Sequence, residues 1–245
     1  YTFKNQINEL AGYTILQNKK FILAADIGSN PDKIYTKDYQ AGALSFEIFS
    51  NNKKLISNSG YYPDTKNRLN KLSKSTALQN TLSIEDYSSS DFIKSSNNFL
   101  IQKDLKIENK NIVFEKNYWK ISASHNGYFK KFKLDHHREI EFYPEQFKFI
   151  GHDKIVRKDP DKQIKFDIRF HLHPDSKVMK TQNNKFILIQ LEDEGWQFSC
   201  DNYDINIDNG LYFGNKNSYQ ENQNIFISGM NNESEQIIRW EIIKI

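Results

Sequence analysis

Five of the six histidines fall into three settings where proton transfer, metal binding or anion binding is chemically conceivable. His125 follows Ser124 and precedes Asn126-Gly127-Tyr128, which reads as a turn feeding another strand. Such a residue is either a general base or a group that bonds backbone and shapes the turn, and both readings stay open. His136-His137-Arg138 has the look of a paired-His metal motif. Adjacent strand residues face opposite sides, so the pair does not converge on one ion and a solvated strand is expected there. Arg169, His171 and His173 share a face that suits an anionic sugar or an ion. Pro174 ends that strand, and the plainer alternative is a polar sheet face with one His packed on a loop.

Other chemistries are excluded on spacing. Ser124 and His125 are neighbours and cannot form a nucleophile–base pair, and no Gly-x-Ser-x-Gly elbow is present. Glycine-rich phosphate loops are also absent. Trp119, Trp196 and Trp240 have rings suited to stacking on pyranoses, but each lies inside an apolar strand pattern, where core packing is the expectation.

The elements that must position these groups are strands. From Ile164 to Leu172, Ile, Phe, Ile, Phe and Leu point one way, while Lys165, Asp167, Arg169 and His171 point the other. The same period of two recurs at Leu44-Phe46-Ile48, at Ile140-Phe142 and at Phe147-Phe149. Phe186 to Leu191 reads as a strand buried on both faces. Shorter strands are expected near Phe21, Lys54, Thr81, Asn111, Tyr118, Gly195, Ile225 and Ile237. Turn signals separate them at Ser29-Asn30-Pro31-Asp32, Ser50-Asn51-Asn52-Lys53, Asp193-Glu194-Gly195 and Asp208-Asn209-Gly210. Asp64 to Leu78 reads as a surface excursion and Ser88 to Asn98 as a long loop. Without helical stretches between the strands, the pattern predicts an all-β domain of antiparallel sheets over residues 1–245.

Composition agrees. The 245 residues are 38% hydrophobic and 14% aromatic, with 18 Phe and 13 Tyr against 5 Pro, which suits sheets better than a disordered chain. A net charge of +3 is spread along the chain without a dense basic arm, which argues against nucleic acid. A lone Cys200 rules out an intrachain disulfide and a thiolate cluster. No apolar run approaches the roughly 18 residues of a membrane span. The chain starts at Tyr1 without an initiator Met or a signal region, and it reads as a piece of a longer protein.

An ordered series of segments resembles the C-terminal domain of heparinase II/III-like proteins from about residue 11 onward. The series runs Ala11-Gly12-Tyr13, Ala25-Asp26-Ile27-Gly28, Gln40-Ala41-Gly42-Ala43-Leu44-Ser45-Phe46-Glu47 and Asn58-Ser59-Gly60. It continues through Asn80-Thr81-Leu82, Glu85-Asp86, Ser88-Ser89-Ser90, Ser124-His125-Asn126-Gly127-Tyr128, Arg169-Phe170-His171-Leu172-His173-Pro174 and Glu194-Gly195-Trp196. The resemblance implies a large two-layer antiparallel sandwich of the supersandwich type, packed in such proteins against an N-terminal α/α toroid that this chain lacks. It implies β-elimination of an acidic, uronic-acid-containing polysaccharide, in the periplasm or cell envelope, with the toroid of the same full-length chain as partner.

Eliminative cleavage needs a group that neutralises the uronate, a base for the C5 proton and an acid for the leaving oxygen. By the resemblance, Gln40, Gln79 and His125 occupy catalytic positions, and Asn58, Arg169 and His171 contact substrate. The family usually has His where Gln40 and Gln79 stand, and some members have an acid where Asn58 stands. Amides hydrogen-bond a sugar but are neither bases nor good metal ligands. No metal or cofactor is therefore expected. The alternative is a non-catalytic glycan-binding or structural domain with a degenerate lyase site.

Overall fold

The computed structural model describes residues 6–32, 36, 38–95, 98–101, 105–181, 185–214 and 218–245. Its strands follow in chain order. They are β1 (Gln6–Leu10), β2 (Tyr13–Gln17), β3 (Phe21–Asp26), β4 (Phe46–Ser50), β5 (Lys53–Ile56), β6 (Leu82–Ile84), β7 (Phe92–Ser95), β8 (Asn98–Ile101), β9 (Ile107–Phe114) and β10 (Trp119–His125). After these come β11 (Leu134–Tyr143), β12 (Lys148–Arg157), β13 (Ile164–His171), β14 (Ser176–Lys180), β15 (Phe186–Leu191), β16 (Glu194–Cys200), β17 (Ile205–Tyr212), β18 (Gln220–Asn231) and β19 (Glu235–Lys244). Among the described residues helical structure is limited to α1 (Arg68–Ser73), a 3₁₀ turn at Thr76–Leu78 and α2 (Phe129–Phe132).

One layer is an eight-stranded sheet in the order β14-β15-β16-β19-β12-β11-β10-β9. Facing it are a five-stranded meander, β1-β2-β3-β4-β5, and a four-stranded sheet, β17-β18-β13-β6. These two are stitched together where Ile56 bridges Leu172 and the Ser57 N–H donates to the His171 carbonyl at 2.9 Å. The layers meet through rings. Phe21 packs edge-on to Phe142 at 4.8 Å, Phe46 stacks on Trp240 at 5.4 Å, and Phe170 meets both Trp240 and Phe198. All three tryptophans are fully buried in this core. The chain is thus an all-β antiparallel sandwich.

Alternation explains which residues went inward. On β11 burial follows a strict period of two, and on β13 Ile164, Phe166, Ile168 and Phe170 form the core face. Asn51 and Asn52 adopt φ of 48° and 66°, which matches the twist of a two-residue hairpin between β4 and β5. Gly151 lies under the Trp240 ring, where an added Cβ would sit 2.0 Å from Cζ2. Only glycine lets that indole lie flat on β12.

Several expectations need correction. Asp208-Asn209-Gly210 is not a turn but runs through β17, paired in that order with Asn224, Gln223 and Asn222 of β18. On β15 only Ile187, Ile189 and Leu191 are buried, because the strand lies next to the sheet edge and its other face is left uncovered. The stretch from Asp64 to Leu78 is no surface excursion. Asn67 caps α1 by accepting from the Leu69 N–H, and Asn70, Ser73, Lys74, Thr76 and Leu78 are buried. Part of the expected Ser88–Asn98 loop is β7, paired with β8. The solvated strand expected at His136-His137-Arg138 is solvated only at His137, since His136 and Arg138 point into the core.

Candidate functional site

Two polar constellations interrupt the apolar interior. The first lies where the five-stranded sheet meets the segment carrying α1. Gln40 donates through Nε2 to the Gly60 carbonyl at 2.7 Å and to the Ser73 carbonyl at 2.8 Å. Buried Gln79 reaches the same Ser73 carbonyl at 3.4 Å. The Asn58 N–H donates to Glu47 Oε1 at 3.0 Å, and its Oδ1 accepts the Asn80 N–H at 2.7 Å. The fold therefore gathers Gln40, Asn58 and Gln79, which lie up to 39 residues apart, into one rim.

Asn80 is the hub of that rim. Its Nδ2 donates to the Phe46 carbonyl, its Oδ1 accepts the His171 N–H at 2.6 Å, and its own carbonyl accepts Arg138 at 2.6 Å. His171 lies below the rim, 1% exposed. Nδ1 of that ring meets the Ser59 hydroxyl at 3.2 Å, while Nε2 meets the Ala77 carbonyl at 2.9 Å. A carbonyl only accepts, so Nε2 carries the proton and Nδ1 accepts from Ser59. Burial pushes the His171 pKa down to about 4, partly offset by the bond to Ala77.

The second constellation lies between the layers. The Gly127 N–H donates to His125 Nδ1 at 3.0 Å, so His125 carries its proton on Nε2, which faces His136 Nδ1 at 3.2 Å. His136 in turn directs Nε2–H at Asp153 Oδ1, 2.6 Å away. Asp153 is also gripped by Arg138, with Nε to Oδ1 at 2.8 Å and Nη2 to Oδ2 at 2.9 Å, and by the Trp240 indole N–H at 2.9 Å. Burial holds both histidines below their ordinary pKa, and Arg138 and His137 push the same way. Burial alone would raise Asp153, but Arg138 and His136 override it and hold the carboxyl well below the usual range. The result is one compensated ion pair with two neutral imidazoles in series.

Among the described residues His125 shares no hydrogen-bond partner with Gln40 or Gln79, and it is 2% exposed with both ring nitrogens engaged. Arg169, His171 and His173 do not converge. Arg169 is held by Asn224 at 3.1 Å and Asp208 at 3.7 Å, His171 by the rim, and His173 by Asp175 at 3.2 Å. Among the described residues, Glu139, Glu141 and His152 bring potential ligand atoms within 4.8 Å of one another on the outer face of the eight-stranded sheet. Glu139 is already paired with Lys120, and Glu141 accepts the Tyr118 hydroxyl.

Sequence reasoning missed Asn80, Arg138 and Asp153. A signal for Asp153 existed: it occupies an inward position in the Phe149-Gly151-Asp153-Ile155 alternation, where an unpaired charge is unaffordable.

Similarity to known proteins fits this architecture. FtsZ-localized protein C of Caulobacter vibrioides (strain NA1000 / CB15N) is 24% identical over 249 residues, covering 96% of this chain and 42% of that protein. The crystal structure of heparan sulfate lyase HepC from Pedobacter heparinus superimposes with a TM-score of 0.77 over 100% of this chain and 37% of its own, at 12% identity. A heparinase III structure gives a TM-score of 0.71 over 98% of this chain and 36% of its own, at 15% identity. At such identities the likeness to the two lyases is one of fold, and the chain spans well under half of each of these proteins. The family model described as "Heparinase II/III-like, C-terminal" matches residues 9–241, and the chain belongs to that family.

Proposed function

We propose that this chain is the β-sandwich module of a polysaccharide lyase that cleaves an acidic, uronic-acid-containing glycan by β-elimination. It is one domain over residues 1–245, works with an N-terminal α/α toroid of the same protein, and acts in the periplasm or cell envelope. Among the described residues no helix is long and apolar enough to cross a membrane. The observation that carries the reading is the rim that gathers Gln40, Asn58 and Gln79 in a member of this family. Amides there orient a sugar or neutralise a carboxylate by hydrogen bonding, and the base comes from outside these three residues. In this scheme Gln40 and Gln79 stand at catalytic positions without titrating, Asn58 contacts substrate, and Arg169, His171 and His125 act from their own separate positions.

The test is incubation of the full-length natural protein with a panel of uronic-acid glycans, followed by absorbance of the unsaturated product. Silence across the panel from a folded protein would sink the lyase reading. Residues 1–245 by themselves are expected to show no turnover, and measurable turnover would overturn the assumed division of labour.

A second reading, a non-catalytic glycan-binding or structural module, is favoured by one observation. Both donor hydrogens of the Gln40 amide are spent on backbone carbonyls, as befits a residue that braces a loop. The name of the Caulobacter relative, an FtsZ-localized protein, also describes a protein by its place rather than by a reaction. Glycan-array binding without turnover would support this reading.

A further inference from the structure

Asp26 is buried to 2% exposure with no salt bridge among the described residues to offset its charge. Its Oδ1 accepts a single backbone N–H, that of Gly28 at 3.2 Å. Tyr39, whose hydroxyl is sealed from solvent, lies against it, and Lys110 is the cation that bears on it. Burial outweighs these influences and raises its pKa to about 7. Directly across the ladder from Asp26 stands Tyr13, on the same face of β2 and β3. Tyr13 is 41% exposed, and burial, Asp26 and Glu47 all push its phenol upward, so it stays a proton donor throughout the physiological range.

This group is continuous with the rim. Glu47, which bears on Tyr13, accepts the Asn58 N–H, and Tyr39 precedes Gln40 in the chain. Beside Tyr13 opens a cavity of about 290 Å³, also lined by Glu9, Thr14, Ile27 and Lys110. Its geometry depends on backbone contact, because a Cβ on Gly12 would sit 2.7 Å from the Gly28 Cα. A phenol and an ammonium at one cavity suit the carboxylate or hydroxyl oxygens of a uronic-acid residue, and Glu9 opposes only part of that positive charge.

We propose that Tyr13 is a substrate-contacting hydrogen-bond donor of this rim, and that Asp26, backed by Tyr39, is the positioning residue that sets its field. The proposal rests on the lyase reading above. Asp26 gains its charge beside Tyr13 as the pH rises through about 7, so substrate binding at Tyr13 is tied to that titration.

The experiment is steady-state kinetics of the full-length natural protein between pH 5 and 9 on whichever uronic-acid glycan the wild type cleaves. Tyr13→Phe is expected to lower kcat/KM by on the order of 10²-fold. Asp26→Asn should remove the inflection near pH 7 from the kcat/KM profile, with a loss of roughly tenfold, and Asp26→Glu should restore the inflection. If Asp26→Asn fails to fold, Tyr13→Phe at its half-open position still decides. A wild type that cleaves glycans, with Tyr13→Phe at full kcat/KM or Asp26→Asn retaining the inflection, overturns this proposal and leaves the lyase reading standing. A wild type silent on every glycan overturns the lyase reading and this proposal with it.

Discussion

Asp153 and Asp26 are both sealed from solvent, one between the layers and the other at the rim of the five-stranded sheet. Asp153 receives two Arg138 bonds, an indole N–H and an imidazole N–H. Asp26 receives one amide N–H, with the Tyr39 hydroxyl against it and Lys110 as the cation bearing on it. Burial raises both carboxyls, and only the supply of donors separates a firmly ionised group from one that titrates near neutrality. A fully compensated pair holds register between strands and sheets; an under-compensated carboxyl is ready to exchange a proton. Environments that drive two like groups apart in this way mark where structure ends and chemistry starts.

The harshest way to break the comparison is at Asp153. Asp153→Ala strands the Arg138 guanidinium in the core and should cost about 3–5 kcal/mol of stability in urea unfolding. Replacing Asp153 and Arg138 together by apolar residues should recover much of that loss. Equal losses in the single and double variants would mean the network is not a compensated unit.

Core truncation ranks next. Phe166→Ala, Ile168→Ala or Phe170→Ala should each cost about 2–5 kcal/mol, since all three are fully buried. Lys165→Ala on the opposite face should stay within about 0.5 kcal/mol. Asp167 does not belong with Lys165 as an exposed position: it is 6% exposed and accepts the Ser228 hydroxyl, so its removal should cost visibly more.

Thermal unfolding against pH sharpens the contrast between the two regions. His125, His136 and His171 have lowered folded pKa values, so the unfolded chain binds more protons once the pH falls below about 6.5. Their contribution is fully present above that pH and declines as acid is added, for His171 down to about pH 4. Asp26 has the opposite sign. Its raised folded pKa gives stability that is present below its ordinary value and lost as the pH rises through about 7. Tm should therefore fall from pH 7 to pH 5, and Asp26→Asn should make that fall steeper. A flat Tm over this interval would contradict the neutral buried histidines.

The smallest effect is expected at Gln40. Gln40→Ala should weaken substrate binding without moving the pH optimum, because the amide does not titrate. Gln40→His in the full-length protein should give little gain in activity, since Gln79 and Asn58 depart from the family pattern as well. Full rescue by Gln40→His alone would show that those two departures matter less than argued.

Reading period-two alternation was enough for the antiparallel sheets, because the face of a strand that meets the core is written in every second residue, as at Ile164 to Phe170. Alternation did not single out Gln40, Asn58 and Gln79, which came from the family resemblance. It failed where polar residues sit in otherwise regular patterns. Arg138 and Asp153 each hold an inward slot, and nothing along the chain says that β11 and β12 place them together. It failed again at Asp64 to Leu78, whose lysines and asparagines look solvated although the fold buries Asn70 and Lys74.

Strand class and the inward-facing set are local properties of this chain, determined by side-chain period and turn chemistry within a few residues. The ionisation of a buried group is not local. Tyr13 and Asp26 become partners only when β2 pairs with β3, and His125 becomes neutral and closed only when Gly127 caps one nitrogen and β11 brings His136 to the other. Tertiary structure decided which carboxyl and which imidazole keep their charge, because desolvation and donor supply depend on residues distant in sequence, and the free energy of a proton follows both.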